Sequence, residues 1–360
     1  KWNGDYRMKL GITTGTCASA AALGALFKAL GKDPSYVKTQ LPNGEYIDVE
    51  IIQAGVRSNG HYFSMVKKYA GDDPDITDGI LIGASLLLRP GKQNISIIGG
   101  EGVGKVTKPG LYLEPGEWAI NPVPKKQITD NLLRFLPKYW DLQVEIYVPN
   151  GSKIATQTFN SELGIEGGIS ILGTTGRVFP MSQSSFMETI RLQIRQRIAL
   201  GFPTLVLVPG NYGEKFAQSL GWDSQHIIRT SGYIGFALDT ARIEKAKRIV
   251  VIGQVGKMVK IAGGIFNTHN EVADARREIL FAHLVRFGLP TQFFDDIWLA
   301  TTAEQVSQIL NSWPSAAQFW DYLAHEIALK INKRIKSKLS VEVYIFSLKQ
   351  GLLGKDVLDE

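Results

Sequence analysis

The hydrophobic pattern divides the chain into two rhythms. In the second half, apolar runs of four to six residues alternate with longer amphipathic stretches. Ile249-Val-Val-Ile252 is a β-branched run that predicts a buried strand, and it leads through Gly253-Gln-Val-Gly256 toward a helix. A helix from about Gln183 to Leu200, a strand at Thr204–Val208, a turn at Pro209-Gly-Asn-Tyr-Gly213 and a helix from Glu214 precede it. Between these and Ile249 lie His226–Arg229 and a helix from about Tyr233 to Lys247. Strands alternating with helices of this length predict a mainly parallel, Rossmann-like α/β sheet covered on both faces. Thr302 to Lys336 reads as mostly helical, and Val341–Leu348 as a further strand.

The first half alternates with a period of two and turns at Asn-Gly pairs. Pro42-Asn43-Gly44 precedes a strand from Tyr46 to Ile52, and Asn59-Gly60 turns into another from His61 to Val66. Asn150-Gly151 is expected to join Val144–Val148 to a strand at Lys153–Phe159. Tight turns make antiparallel neighbours, so this half is expected to be an α+β domain with an antiparallel or mixed sheet. An alanine-rich helix from Cys17 to Leu30 would pack close against it. The expected division is 1–180 and 181–360, with the boundary near Pro180; a chain of 360 residues exceeds one typical core.

Composition narrows the function classes. With 44% hydrophobic and 21% charged residues the chain reads as an ordinary globular protein. Its longest apolar stretch, around Ile80 to Leu88, falls short of the roughly 18 residues a membrane span needs. No signal-peptide pattern opens the chain, and since residue 1 is lysine, a few leading residues are expected to be missing. Cys17 is the single cysteine, which leaves no internal disulfide, Cys-rich zinc site or iron–sulfur cluster, and makes the cytoplasm the expected location. The net charge of +6 favours acidic partners. The basic residues are dispersed, however, whereas a nucleic-acid protein concentrates them on one element. A polycarboxylate small molecule fits; no nucleic acid or membrane partner is expected, and homo-oligomerisation stays open.

Several motifs carry candidate chemistry. Gly99-Gly-Glu-Gly-Val-Gly104-Lys105 nearly matches a phosphate loop, but Val106 stands where Ser or Thr would hold magnesium, and Pro109-Gly110 stops the helix that should follow. Either the backbone of Gly100, Gly102 and Gly104 approaches a ligand, or the loop is a turn that packs. Thr13-Thr-Gly-Thr16 opens the alanine-rich helix, where free N–H groups attract carboxylates; a plain N-cap is the alternative. Gly71-Asp-Asp-Pro-Asp-Ile-Thr-Asp-Gly79 fails as a calcium loop, with Asp78 at the glycine position and Ala84 at the glutamate position. It reads as a solvated acidic turn or as a group that orients a ligand through Asp72 and Asp73. Gly173-Thr-Thr-Gly176-Arg177 offers hydroxyls and a guanidinium to an acid group, or is only a domain-joining turn. Gly210, Asn211 and Gly213 follow one strand, and Gly253 and Gly256 a neighbouring one, where open α/β sheets bind ligands. After them come Lys257, Thr268, His269, Asp274 and Arg276. His269 is either a capping histidine or a proton carrier.

Gly253 to Arg276 resembles the C-terminal signature of the cobalt-precorrin-5B C1-methyltransferase family of anaerobic cobalamin biosynthesis, with its Gly-Lys, Thr-His and Ala-Asp-Ala-Arg. Gly99–Gly110 with Ala119-Ile-Asn-Pro-Val-Pro124 resembles the family's central signature, and the threonine, aspartate and Gly173–Arg177 motifs resemble it too. The likeness runs from Thr13 to about Gly288. It departs at Gln254, where the family has histidine, at Asn270, where it has serine, and at Tyr69, where aspartate is expected. Pro122 and Pro124 would stiffen an extended segment at one wall of a cleft.

The resemblance implies methyl transfer from S-adenosylmethionine to C1 of cobalt-precorrin-5B, giving cobalt-precorrin-6A. Cobalt would enter within the substrate, so no protein metal site is expected. The roles expected beside this resemblance are catalytic for His269 and Asp274 and, from strand–helix topology alone, cofactor-binding for Gly210, Asn211, Gly213, Gly253 and Gly256. Substrate-binding roles are implied for Thr13, Thr14, Thr16, Asp72, Asp73, Gly100, Gly102, Gly104, Lys108, Asn121, Thr174, Thr175, Arg177, Lys257, Thr268 and Arg276. The class I methyltransferase fingerprint is absent, so the cofactor glycines follow from strand–helix topology. Two other classes remain: a non-catalytic tetrapyrrole-binding carrier, and an enzyme using a nucleotide phosphate at Gly99–Gly104.

Overall fold

The computed structural model describes residues 9–179, 183–210, 212–336 and 339–358. The chain forms two compact units, Lys1–Gln183 and Ser184–Glu360. Pro180, the expected boundary, and Asn211 lie outside the described residues.

The first unit runs β1 (Gly11–Ile12), α1 (Thr14–Ala29), β2 (Tyr36–Gln40), β3 (Tyr46–Glu50), β4 (Gln53–Val56), β5 (Tyr62–Lys67), β6 (Leu81–Pro90), β7 (Ile95–Gly99) and β8 (Lys105–Val106). It continues with α2 (Pro122–Leu133), β9 (Trp140–Tyr147), α3 (Gly151–Ala155), β10 (Ile165–Glu166) and β11 (Arg177–Val178). Its main sheet has the order β4-β5-β6-β9-β7, antiparallel except for the parallel β7–β9 pair. The small side chains of α1 let it lie close to that sheet. A β-carbon at Gly24 would come within 2.6 Å of Ser64 Oγ, and Ser64 Oγ donates to Ala21 O at 2.6 Å. The other face of α1 meets α2 through Leu23, Leu26, Ile128 and Leu132, all buried.

Two local expectations are corrected. Asn150-Gly151 does not turn a hairpin: Asn150 takes φ 60°, but Gly151–Ala155 then forms the short helix α3. The peptide at Gly151 lies on Gly102, where a β-carbon would sit 2.2 Å from the Gly102 oxygen, and this contact turns the chain inward. Pro122-Val-Pro124 is not extended but opens α2. Proline has no N–H to lose in a first helical turn, and its fixed φ suits that position.

The second unit opens within the first turn of α4 (Gln183–Ala199), followed by β12 (Thr204–Val208), α5 (Gly213–Ser219), β13 (Ile227–Arg229), α6 (Ile234–Ile243), β14 (Arg248–Gln254), α7 (Val255–Ala262) and α8 (Arg276–Phe287). Then come α9 (Phe294–Leu299), α10 (Ala303–Ile309), α11 (Ala316–Ile335), β15 (Ser340–Ser347) and β16 (Gly351–Leu358). The sheet order is β13-β12-β14-β15-β16, parallel except at the β15–β16 edge. Successive strand residues point to opposite faces. Leu205, Leu207, Ile249 and Val251 enter a large core with α4, α6, α7 and α11, while Val206, Val208, Val250 and Ile252 meet α5 on the other side. The fold is therefore mixed α/β, antiparallel in the first unit and mainly parallel in the second. No helix among the described residues is long and apolar enough to cross a membrane.

Candidate functional site

The C-terminal edge of the parallel sheet gathers the most chemistry. After β12 the chain turns at Gly210, whose φ of 95° suits glycine. After β13, Thr230 N donates to Val208 O at 3.1 Å, which brings Gly232 beside β12. β14 runs through Gly253 to Gln254, and α7 begins at once. Beyond α7 an irregular segment folds back over this edge, with Thr268 N donating to Gly232 O at 2.9 Å and Gly235 N to Phe266 O at 2.9 Å.

Helix α7 buries Val255, Met258, Val259, Ile261 and Ala262. Its Lys257 Nζ donates to Thr268 O at 3.1 Å. A β-carbon on Gly210 would lie 4.0 Å from Lys257 Cγ, and one on Gly256 would lie 3.7 Å from Arg276 Nη1. One on Gly232 would lie 3.4 Å from His269 Cβ. The fold thus brings together Gly210, Gly256, Lys257, Thr268, His269, Asp274 and Arg276 from separate parts of the sequence.

Positive charge dominates this group. Arg276 grips Asp274 as a fork, Nε to Oδ1 and Nη2 to Oδ2, each at 2.7 Å. Those hydrogen bonds hold the Asp274 carboxyl down at about 2. Burial pushes the Lys257 ammonium below the ordinary lysine value, and the neighbouring Arg276 pushes it the same way. A cation in that state gains from a carboxylate partner. His269 stands with 59% of its side chain exposed, its Nδ1 3.9 Å from Glu271 Oε2, within reach of solvent. Beside the group, Asp274, Arg276, Arg277, Thr301 and Thr302 rim a cleft of about 220 Å³ floored by Leu280, Ile297 and Val306. Gln254 Nε2 donates to Glu304 Oε2 at 3.3 Å, so it ties the end of β14 to α10.

Three expected roles in this unit are revised. Asp274 is the counter-ion of Arg276, and a carboxyl near 2 is too weak a base to carry a proton at neutral pH. Gly253 lies inside β14, where a β-carbon would strike Met258 Sδ at 2.5 Å. Gly213 opens α5, where one would strike Val208 Cβ at 2.8 Å; both glycines serve packing.

In the first unit the threonines are spent on the chain itself. Thr14 Oγ1 donates to Ser170 O at 3.1 Å, and Thr16 Oγ1 to Gly176 O at 2.8 Å. Thr13 caps α1 by accepting from Thr16 N, and Gly15 N donates to Leu172 O at 3.0 Å. No hydroxyl of Thr13, Thr14 or Thr16 remains for a carboxylate, so their role passes to capping and to latching residues 170–176. The glycine loop likewise packs chain on chain. A β-carbon at Gly100 would meet Glu145 at 2.8 Å, at Gly102 the Val148 oxygen at 1.9 Å, and at Gly104 Ile165 at 2.5 Å. The amides of Gly100 and Gly104 donate to Ile146 O and Ile169 O. The paired amides of Gly100 and Gly104 count against the ligand-facing reading of those two glycines and against the nucleotide-phosphate alternative.

Of the acidic turn, Asp72 is exposed and accepts from Lys9 N at 2.8 Å, and Asp73 is half-buried. The buried pair there is Lys68–Asp75, at 2.6 Å. Lys108 packs its stem on Gly164, and Asn121 stands at the start of α2. Thr174 is exposed. Thr175 and Arg177 line an open basin of about 610 Å³ with Leu10, Asn43, Glu45 and Phe179, and Arg177 Nε lies 3.9 Å from Glu45 Oε2. Cys17 is fully buried, and burial pushes its thiol up to about 12, so it is no nucleophile.

Sequence reasoning missed Lys260, which is wholly buried. The signal was its place in Met258-Val-Lys-Ile261, a lysine on the face α7 turns inward.

Comparison with known proteins identifies the family. The family model described as CbiD matches residues 1–180, and the model of the CbiD C-terminal domain matches 267–357. Curated relatives named cobalt-precorrin-5B C(1)-methyltransferase are similar over nearly the whole chain. The protein from Methanocaldococcus jannaschii is 40% identical over 97% of this chain and 97% of its own, and that from Thermosipho africanus 39% over 97% and 97%. The protein from a Thermoanaerobacter species is 37% identical over 97% and 95%. A crystal structure of the cobalamin biosynthesis protein (cbiD) from Archaeoglobus fulgidus is 28% identical, covers 76% of this chain and 84% of its own, and has a TM-score of 0.40. The chain belongs to the CbiD family.

Proposed function

We propose that this protein methylates C1 of cobalt-precorrin-5B with S-adenosylmethionine, giving cobalt-precorrin-6A, at the C-terminal edge of the parallel sheet. The observation that carries the proposal is the convergence of Lys257 and Arg276 beside Gly210 and Gly256, where a β-carbon would meet only those two side chains, at 4.0 and 3.7 Å. A corrinoid intermediate carries a ring of acetate and propionate arms, and this edge presents cations with donors to spare. Lys257 uses one of its donors on Thr268 O, and Arg276 Nη1 takes no part in the fork to Asp274.

The residues also fit the methyl donor. Gly210 and Gly256 leave its backbone approach clear, and the buried hydroxyls of Thr230 and Thr268 have no hydrogen-bond partner among the described residues. S-adenosylmethionine, when bound, supplies an electrophilic methyl carbon on a sulfonium. The leaving group is already good, so the chain's own task is alignment and exclusion of water. Lys257 and Arg276 hold acid arms, Asp274 keeps the Arg276 guanidinium in plane, and His269 exchanges a ring proton with solvent. Arg177 offers a second place for an acid group in the first unit, while Thr175 Oγ1 donates to Arg177 O at 3.0 Å and closes the turn there. The reaction class and the single cysteine support a cytoplasmic location.

The test is anaerobic incubation of the purified protein with S-adenosylmethionine and cobalt-precorrin-5B, followed by mass spectrometry of the corrinoid. A gain of one methyl group, lost when the donor is omitted, is the expected result. Bound corrinoid of unchanged mass would overturn the reading in favour of a carrier.

A further inference from the structure

Lys260 has no exposed surface, yet its ammonium is surrounded by acceptors from a single irregular segment. Nζ donates to Asn270 Oδ1 at 2.8 Å, to Ala273 O at 2.8 Å and to Thr268 O at 3.1 Å. A lysine has three donors, and here each has a partner between residues 268 and 273. A buried ammonium is costly unless it is fully matched, so a position that served packing alone would be better filled by methionine or leucine. What the charge supplies is donors for the main-chain oxygens of a segment with no helix or strand to satisfy them.

The Thr268 oxygen is also the acceptor for Lys257. Its position therefore sets where the Lys257 ammonium stands, and the same segment carries His269 and leads into Asp274 and Arg276. We propose that Lys260 is the positioning residue of this site: it pins residues 268–273 to α7 and so places the Thr268 carbonyl that holds Lys257 for a substrate carboxylate. The inference rests on the reading of Lys257 as a carboxylate-holding group.

Three variants of the full chain test it: Lys260→Met, Lys257→Met and Asn270→Ala. Two quantities are read, amide hydrogen exchange across 264–275 and anaerobic absorbance titration with cobalt-precorrin-5B. In Lys260→Met the segment is expected to exchange at least about tenfold faster with β12 and β14 unchanged, and corrinoid to bind about tenfold more weakly, as for loss of a charge-assisted hydrogen bond. KM is expected to rise with it while kcat at saturation stays within a few-fold. Lys257→Met is expected to weaken binding without loosening the segment. Asn270→Ala, which removes one acceptor, covers the case in which Lys260→Met does not fold; it should loosen the segment and weaken binding by a smaller factor.

Unchanged exchange in Lys260→Met, or in Asn270→Ala where that stands in, overturns the positioning role. So does faster exchange with undiminished binding, which would leave Lys260 a structural clamp only. Undiminished binding in Lys257→Met overturns the underlying reading of the site, and the positioning role with it.

Discussion

Lys257 and Lys260, neighbours on one face of α7, donate to the same oxygen, that of Thr268, each at 3.1 Å. One lysine is half-buried at the site and the other wholly buried behind it. A single carbonyl thus joins a half-buried ammonium to one enclosed by protein.

The Arg276–Asp274 fork can be tested through its acid. Asp274 is held at about 2, so its stabilising contribution is complete above the ordinary carboxylate range and is lost as pH falls through about 2. Nearly half of its side chain is exposed, so solvent screens the pair and the effect on stability is small. In Arg276→Ala the carboxyl is expected to titrate near its ordinary value, read from its carbon chemical shift, and corrinoid to bind about tenfold more weakly. A carboxyl still titrating near 2 would show that Arg276 is not the cause.

His269→Gln separates proton exchange from binding. Loss of a positioned acid–base group lowers kcat by about a hundredfold or more, while the corrinoid dissociation constant should stay within about twofold. A kcat equal to that of the parent chain would remove His269 from the chemistry.

In the first unit, Lys68 is 2% exposed and pairs with Asp75 at 2.6 Å. Burial raises the Asp75 carboxyl, but hydrogen bonds from Lys68 and Thr77 overcome it, and the group lies below its ordinary value. Its contribution is therefore present above the ordinary carboxylate range and disappears as pH falls through the lower folded value. Lys68→Met strands the carboxylate and should cost about 3 kcal/mol at neutral pH. Urea unfolding checks this; a midpoint unchanged at pH 7 would contradict it.

Gly102 and Gly116 both have positive φ, 72° and 96°, but differ in what faces them. A β-carbon at Gly102 would lie 1.9 Å from the Val148 oxygen, whereas at Gly116 nothing lies within 4 Å. Gly116→Ala should cost about 1 kcal/mol, the strain of the backbone alone. Gly102→Ala should cost about 4 kcal/mol or more, or prevent folding. Equal melting temperatures in the two variants would refute the packing account of the glycine loop.

Local features were legible where local forces decide. The run Ile249–Ile252 formed a strand because β-branched residues buried on both faces suit a central parallel position. Thr13 formed a cap because its hydroxyl needs only the amide at Thr16. Asn150 took the left-handed conformation expected of Asn-Gly, yet the hairpin failed because the Gly151 peptide rests on Gly102. Pro122 and Pro124 open α2 instead of an extended segment because proline's preference for extended neighbours does not apply in a first helical turn.

Except for α8, α9 and the edge strand β16, the sequence by itself determined the strand and helix order of the second unit, the alanine-rich helix of the first and, through its motifs, the family. These follow from periodicity, turn chemistry and residue type, which act over a few positions. Only the tertiary structure decided which glycines face open space and which face main chain. It also decided that Thr14 and Thr16 spend their hydroxyls on residues 170–176, and that Lys260 closes on 268–273. The physical reason is that a donor, a charge or a missing side chain acquires its role from the atoms opposite it, and folding draws those atoms from distant parts of the chain.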